Sequence, residues 1–190
     1  MDFDSVIRKR KSVRKFKARA PSWRYILEAI DAASQGAFAG NINNLKFLIV
    51  EDPDTIKKLA SYSQQSWISE SKILIVVCSD DSRLENMYGE RGRIYSRQQA
   101  GAAVETIILK LTDLGIDSCW VGAYTDELIK QCLKIPQHIQ IEAIIPTGYE
   151  EPPAEKKARK KELEKVLMWE KWGKTKRPPL FAEKDNEPPI

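Results

Sequence analysis

The 190-residue sequence predicts an α/β or α+β chain built on a small central sheet. Three observations lead there. Helical apolar periodicities alternate with about four short apolar runs. The run at 73–78, Ile-Leu-Ile-Val-Val-Cys, is apolar throughout, the mark of a strand covered on both faces. The composition, 42% hydrophobic and 31% charged without an internal repeat, is that of one globular domain.

The elements follow in order. Residues 4–9 read as a short helix. Ser22 is the expected N-cap of a second, with Trp23, Ile26, Leu27, Ile30 and Ala33 on one apolar face. Residues 35–41, Gln-Gly-Ala-Phe-Ala-Gly-Asn, end it in a small-residue loop. Gly36 and Gly40 there either admit a flat or bulky neighbour or simply serve the helix end. Residues 45–50 make a buried strand, after which Asp52 caps and Pro53 opens a helix with Ile56, Leu59 and Ala60 inward.

Residues 79–95 are polar and hold Gly89 and Gly92, which predicts a loop or a partial helix. The longest helix is expected from about 96 to 114, where Ala100, Ala103, Val104, Ile107, Ile108, Leu111 and Leu114 keep the spacing. Residues 118–121 form a short strand turning at Gly122, and Thr125 caps a helix to about 133. The last strand spans 141–145, broken by Pro146 and turned at Gly148. Residues 155–172 read as a charged helix with Leu163, Val166 and Leu167 inward. The expected organisation is one domain over 1–172 and a proline-rich tail over 173–190, too apolar-poor to fold by itself.

Several function classes fall away. No run approaches the roughly 18 apolar residues of a membrane span, and Met1-Asp2-Phe3-Asp4 lacks a signal pattern, so a cytoplasmic location is expected. Three cysteines without a CxxC, and His138 alone, indicate neither a disulfide framework nor a metal site. P-loop, dinucleotide-fingerprint and GxSxG signatures are absent. If the chain is an enzyme, an organic cofactor must carry the chemistry.

Charge is unevenly distributed. Residues 1–19 hold eight Lys/Arg against two Asp, and residues 154–177 hold ten against four Glu, so each block is +6. With a chain total of +4, the rest carries −8. In the first block, Arg10-Lys11-Ser12-Val13-Arg14-Lys15-Phe16 is the densest stretch. Read as extended, it puts Arg10, Ser12 and Arg14 on one side, with Val13 and Phe16 available as anchors. Two guanidinium forks and a hydroxyl suit a phosphate or the polar edge of a planar ring, and equally a solvated basic arm. The two basic blocks are either independent tails or two sides of one anion site. A nucleic-acid-binding reading is disfavoured, because the aromatics are not interleaved with the cations and the centre is acidic.

Four pieces of the chain resemble the FMN-dependent nitroreductase family. They are the 10–16 stretch; Ala39-Gly40-Asn41-Ile42 with Phe47-Leu48-Ile49-Val50; the helix from Ala100-Gly101-Ala102-Ala103 through Gly115 to Cys119-Trp120-Val121-Gly122; and Ile145-Pro146-Thr147-Gly148-Tyr149 with Arg159-Lys160-Lys161. The resemblance implies an α+β fold of three layers, α/β/α, with a small, mostly antiparallel sheet and a C-terminal extension wrapping a partner subunit.

It also implies a cofactor, FMN, and NADH or NADPH as electron donor to a planar acceptor (nitroaromatic or quinone) in ping-pong order. Arg10, Lys11, Ser12 and Arg14, with Arg159 and Lys161, would hold the phosphate and the pyrimidine edge, and Gln65 would touch that edge. The Val121 amide and Gly122 would face flavin N5, and no side chain would act as the catalytic group. A homodimer is implied, in which Phe38, Ala39 and Asn41 of the second subunit cover the other end of the ring. The pattern departs from the family at Ala37-Phe38, Asn44, Leu45 and Glu150, positions of the pocket wall that bear on substrate class. The alternative within the family is a dehalogenase, desaturase or flavin-fragmenting member, with Arg83, Arg91, Arg93 and Arg97 in a specificity lid.

Overall fold

A computed structural model describes residues 1–151 and 162–177. The chain divides into two compact units, Met1–Ala154 and Glu155–Ile190, so the boundary falls well before the expected 172/173.

The first unit is organised around four strands: β1 (Leu45–Val50), β2 (Ile73–Ser79), β3 (Asp117–Ser118) and β4 (Gln140–Gly148). Their order is β1-β2-β4-β3, and every neighbouring pair is antiparallel. Helices and short 3-10 turns flank them. Helices α1 (Phe3–Lys9), α2 (Trp23–Ser34), α3 (Pro53–Tyr62), α4 (Ser82–Tyr88), α5 (Glu90–Asp113) and α6 (Asp126–Leu133) are α-helical; Ser66–Glu70 is a 3-10 turn.

All of β2 is buried, as an unbroken apolar run requires. On one face Ile73, Ile75 and Val77 meet Ala143 and Ile145 of β4, Ile26, Ala29 and Ala33 of α2, and the Ala100-to-Leu111 stripe of α5. On the other, Leu74, Val76 and Cys78 meet Ile56 and Leu59 of α3, Ile68 and Ile129. Two helical layers thus enclose the sheet, giving the three-layer α+β architecture.

The local signals acted largely as expected. Asp52 accepts a hydrogen bond from the Thr55 N–H with Pro53 in the first turn of α3. Hydrogen bonds from the Thr55 side chain and backbone hold the Asp52 carboxyl below its ordinary pKa. Ser22 and Thr125 occupy N-cap positions without making a side-chain bond.

Five elements differ from expectation. Residues 79–95 hold α4 and the start of α5, which begins at Glu90 rather than near 96. At the start of α5 the buried positions are Gly92, Ser96 and Gln99, small or polar, and in α4 Leu84 is the buried one, so hydrophobic periodicity could not reveal either helix. In α2 the buried stripe is Ile26, Ala29 and Ala33, while Trp23 and Leu27 lie outside it, exposed at 54% and 45%. The strand expected at 118–121 is shorter, and Val121 instead makes an isolated pairing with Ile144.

Pro146 does not break β4. It pairs in register with Leu74, and its carbonyl accepts from the Cys119 N–H at 3.3 Å, so its missing N–H falls on the short β3 side. Finally, within the expected 155–172 helix, residues 162–172 contain a single 3-10 turn, Leu163–Lys165, and no α-helix. Leu163 and Val166 are exposed at 69% and 56%, so no buried stripe offsets the cost of nucleation there. The remainder of that expected helix, and the tail from 178 on, lie outside the described residues.

Ile75 is fully buried between the layers. Ile75→Ala is expected to cost about 2–5 kcal/mol of unfolding free energy, because the facing helices cannot close the cavity. Urea titration followed by circular dichroism measures it, and a loss below about 1 kcal/mol would contradict this packing.

Candidate functional site

The basic stretch lies along the sheet edge. The Val13 N–H donates to the Ser118 carbonyl at 3.0 Å, in a parallel pairing of Ser12 with Ser118. Farther on, Phe16 pairs antiparallel with Glu150, and the Lys17 N–H reaches the Tyr149 carbonyl at 2.8 Å. Val13 and Phe16 are the buried anchors, at 3% and 5% exposure. A side chain at Gly148 would stand 2.7 Å from the Phe16 ring, so the ring seats directly on that glycine. Phe16 shares parity with Arg10, Ser12 and Arg14 yet is buried, so strict alternation ends after Arg14. The Phe16 N–H is held by Glu70 at 3.1 Å.

The pairing of Ser12 with Ser118 brings the segment beside Cys119, with Arg10 and Arg14 on the same side of it as Ser12. Burial pushes the Cys119 thiol above its ordinary pKa, while Arg14, a Ser12 hydrogen bond and Arg10 pull it back. The Arg14 guanidinium also lies 5.9 Å from the centre of the Trp67 ring. Arg10 stands 3.9 Å from Glu105 of α5 with both side chains partly exposed. Such a pair is worth about 0–1 kcal/mol and yields readily to a stronger anion. Lys11 does not join this group: it pairs with Glu150. The odd parity of Lys11 sends it to the other side of the segment, a correction to its expected place in the site.

The turn after Cys119 is the second wall. The expectation that the Val121 amide faces a ligand is overturned, because that N–H donates to the Ile144 carbonyl at 2.9 Å. Gly122 is exposed, a side chain there would meet nothing within 4 Å, and its amide has no partner among the described residues. Gln65 reaches this turn, its side-chain amide donating to the Ala123 carbonyl at 3.3 Å. It also lines an open groove of about 460 Å³ with Lys57, Ser61, Gln64, Ser66 and Ser69.

Phe38, Ala39 and Asn41 sit elsewhere. Phe38 is half-buried against the α2–α5 core. The Ala39 N–H donates to the Gln99 side chain at 3.2 Å. Residues 39–41 form a 3-10 turn in which Gly40 and Asn41 both have φ of 57°. This loop meets α5 at Gln99, whereas Arg10 meets it at Glu105, about 9 Å farther along the axis at 1.5 Å per residue. Arg159 and Lys161 lie outside the described residues.

Sequence reasoning missed Trp67, Cys119, Glu105 and Gln99. None belongs to a local pattern; each acquires a role only through its neighbour in space. The arginines of the 79–97 segment are tied internally: Arg93 to Glu85, Arg97 to Asp81 and Glu142, and Arg91 over the Tyr95 ring. Arg97 is committed to two carboxylates, whereas the exposed Arg93–Glu85 pair, like that of Arg10 with Glu105, yields readily to a stronger anion. Among the described residues no group of His, Cys, Asp and Glu could hold a metal ion, and no helix is long and apolar enough to cross a membrane.

The sequence profile of the Nitroreductase family matches residues 7–72 and 61–149. The chain belongs to the nitroreductase family. An Archaeoglobus fulgidus protein named "Putative NADH dehydrogenase/NAD(P)H nitroreductase" is 30% identical over 149 residues, covering 76% of this chain and 83% of the relative. A nitroreductase family protein from Clostridium novyi superposes with a TM-score of 0.74 at 28% identity, over 92% of this chain and 96% of that one. An FMN-dependent nitroreductase from Clostridium difficile shares the fold, with a TM-score of 0.75 at 22% identity over 88% and 98% of the two chains. Family membership establishes an oxidoreductase.

Gly148→Ala is expected to lift Phe16 and loosen the basic segment from the nitroreductase sheet edge. Trypsin should then cut after Lys15 or Lys17 faster than in the wild type while the core still melts cooperatively. Equal cleavage rates would mean that Phe16 does not hold the segment.

Proposed function

We propose that this nitroreductase-family chain is an FMN-dependent oxidoreductase that uses NADH or NADPH to reduce a planar acceptor, a nitroaromatic or a quinone, in ping-pong order. One observation carries the reading: the basic segment pairs with Ser118 along the sheet edge, which keeps Arg10, Ser12 and Arg14 on one side of it, near a turn whose Gly122 amide is open.

The residues fit such a cofactor. Two guanidinium forks match phosphate and the carbonyl-rich edge of a flavin, and the Ser12 hydroxyl can donate or accept. The bare Gly122 leaves room for a ring to lie against backbone. When bound, FMN would supply the two-electron chemistry, taking hydride from the nicotinamide and passing it to the acceptor.

The chain's own work is to bind and orient. Arg10 exchanges its weak contact with Glu105 for the phosphate. Arg14, backed by the Trp67 ring, faces the pyrimidine edge, with Gln65 held at the turn beside it. The Gly122 N–H donates towards the side of the ring where negative charge develops, in the manner of an oxyanion hole. No side chain has to ionise for hydride transfer. The active unit is proposed to be a cytoplasmic homodimer, with Phe38, Ala39 and Asn41 of one copy covering the flavin of the other.

The purified protein is expected to show flavin absorbance, or to acquire it with added FMN. Each charge-assisted contact is worth about 1.5–3 kcal/mol. Arg10→Ala with Arg14→Ala should therefore weaken FMN binding by roughly 10²–10⁴-fold, read by quenching of flavin fluorescence, with far-UV dichroism unchanged. Stoichiometric flavin retained by the double variant would remove the phosphate site from this segment.

A further inference from the structure

The first half of α5 buries a polar chain that the flavin reading does not use. Gln99, 5% exposed, accepts from the Ala39 N–H at 3.2 Å. That fixes which end of its carboxamide points where, and the amide nitrogen donates to the Ile42 carbonyl at 3.2 Å and to the Asn44 side-chain oxygen. Asn44, 6% exposed, then donates to the Asp80 carbonyl at 3.0 Å and to the Ser96 hydroxyl at 2.7 Å. Ser96 donates to Asp81 at 2.6 Å, and Asp81 is paired with Arg97, which also holds Glu142 of β4.

The donors run one way, from Gln99 to the Asp81 carboxylate, and every bond leans on the next. Chains of this kind are rigid when fully satisfied and costly when one member is lost. All three groups that Gln99 engages, the Ala39 N–H, the Ile42 carbonyl and the Asn44 side-chain oxygen, belong to residues 39–44. Between the apolar anchors Phe38 and Ile42, the backbone of the loop takes its path from the polar groups of α5. It needs such support. Gly40 and Asn41 both lie in the left-handed region, and a side chain at Gly40 would stand 2.7 Å from the Tyr88 hydroxyl and 3.1 Å from the Met87 sulfur. Gln99 and Ala39 also line a pocket of about 220 Å³ with Ala37, Tyr95, Gln98 and Ala102.

We propose that Gln99 is a positioning residue: its buried carboxamide fixes the path of residues 38–42 and, through them, the wall that the planar acceptor meets in the neighbouring active site. The inference rests on the flavoprotein reading, in which this loop covers the partner's cofactor. Gln99 itself touches neither cofactor nor acceptor. A methionine of similar length in its place fills the same space but leaves the Ala39 N–H, the Ile42 carbonyl and the Asn44 oxygen without their partner.

The test uses the full-length, FMN-loaded protein and its Gln99→Met variant, with a nitroaromatic as the stacking acceptor and ferricyanide as one that takes electrons without stacking. The expected result is a rise of about tenfold in KM for the nitroaromatic with kcat within about twofold, equivalent to about 1.4 kcal/mol of acceptor binding. Ferricyanide turnover and FMN affinity should stay near wild type, and the visible dichroism of the bound flavin should change. Unchanged nitroaromatic KM and unchanged dichroism in a folded variant would overturn the proposal.

If Gln99→Met does not fold, amide hydrogen exchange on the wild type decides. The Ala39 N–H should exchange at least tenfold more slowly than that of Ala37 in the same loop, and equal rates would overturn the clamp. A wild type that never binds FMN sinks the flavoprotein reading instead, while the exchange result still judges whether Gln99 holds the loop.

Discussion

β2 has no side that tolerates water. Seven consecutive buried residues, six of them apolar, demand a helical layer on each face and a strand on each edge. β1 and β4 supply the edges, α2 and α5 one face, α3 and α6 the other. At roughly 1.5–3 kcal/mol for each large side chain buried, this strand and its neighbours dominate the favourable side of folding. The remaining features are arranged in the space this demand leaves.

What it leaves is a short edge. β3 is two residues long, so the far side of β4 keeps backbone groups to pair. The N-terminal segment takes up part of that edge, with Val13 and Phe16 inward and the arginines outward. A sheet edge that would otherwise invite a foreign strand is covered by the chain's own basic arm. The same pairing keeps Arg10, Ser12 and Arg14 on one side of the segment, beside Ser118. Fold and candidate site are thus consequences of one pairing, and the binding surface is held by backbone bonds rather than by side-chain charge.

The second polar feature is of another kind. Along α5 the stripe that faces the sheet passes from Ile and Leu near its C-terminus to Ser96 and Gln99 towards its N-terminus. Buried polar groups are tolerated there because each finds a partner, ending at the Asp81–Arg97–Glu142 cluster. Such a cluster adds little net stability compared with an apolar filling, but it commits the adjoining loops to one arrangement. The loop of residues 38–42, with two left-handed residues in succession, depends on that commitment.

Much of this was written in the order of residues. Continuous apolar runs specified β1 and β2, and 3.6-residue spacing and caps most of α3, α5 and α6, because these signals are local. The 10–16 motif was legible as a type of chemistry, since guanidinium forks carry their meaning with them, whereas the roles of the Gly122 turn and Gln65 came from the family resemblance. The sequence by itself determined the layers, the anchors and the sign of the site.

Only the tertiary structure decided which groups remain available. Lys11 is drawn to Glu150, the Val121 amide is spent on Ile144, and Arg97 is committed to Asp81 and Glu142. The tertiary structure also turned Gln99 and Asn44 from ordinary polar residues into a clamp. A hydrogen bond or ion pair joins residues tens of positions apart, and its partner is set by packing of the layers rather than by any neighbour in the chain.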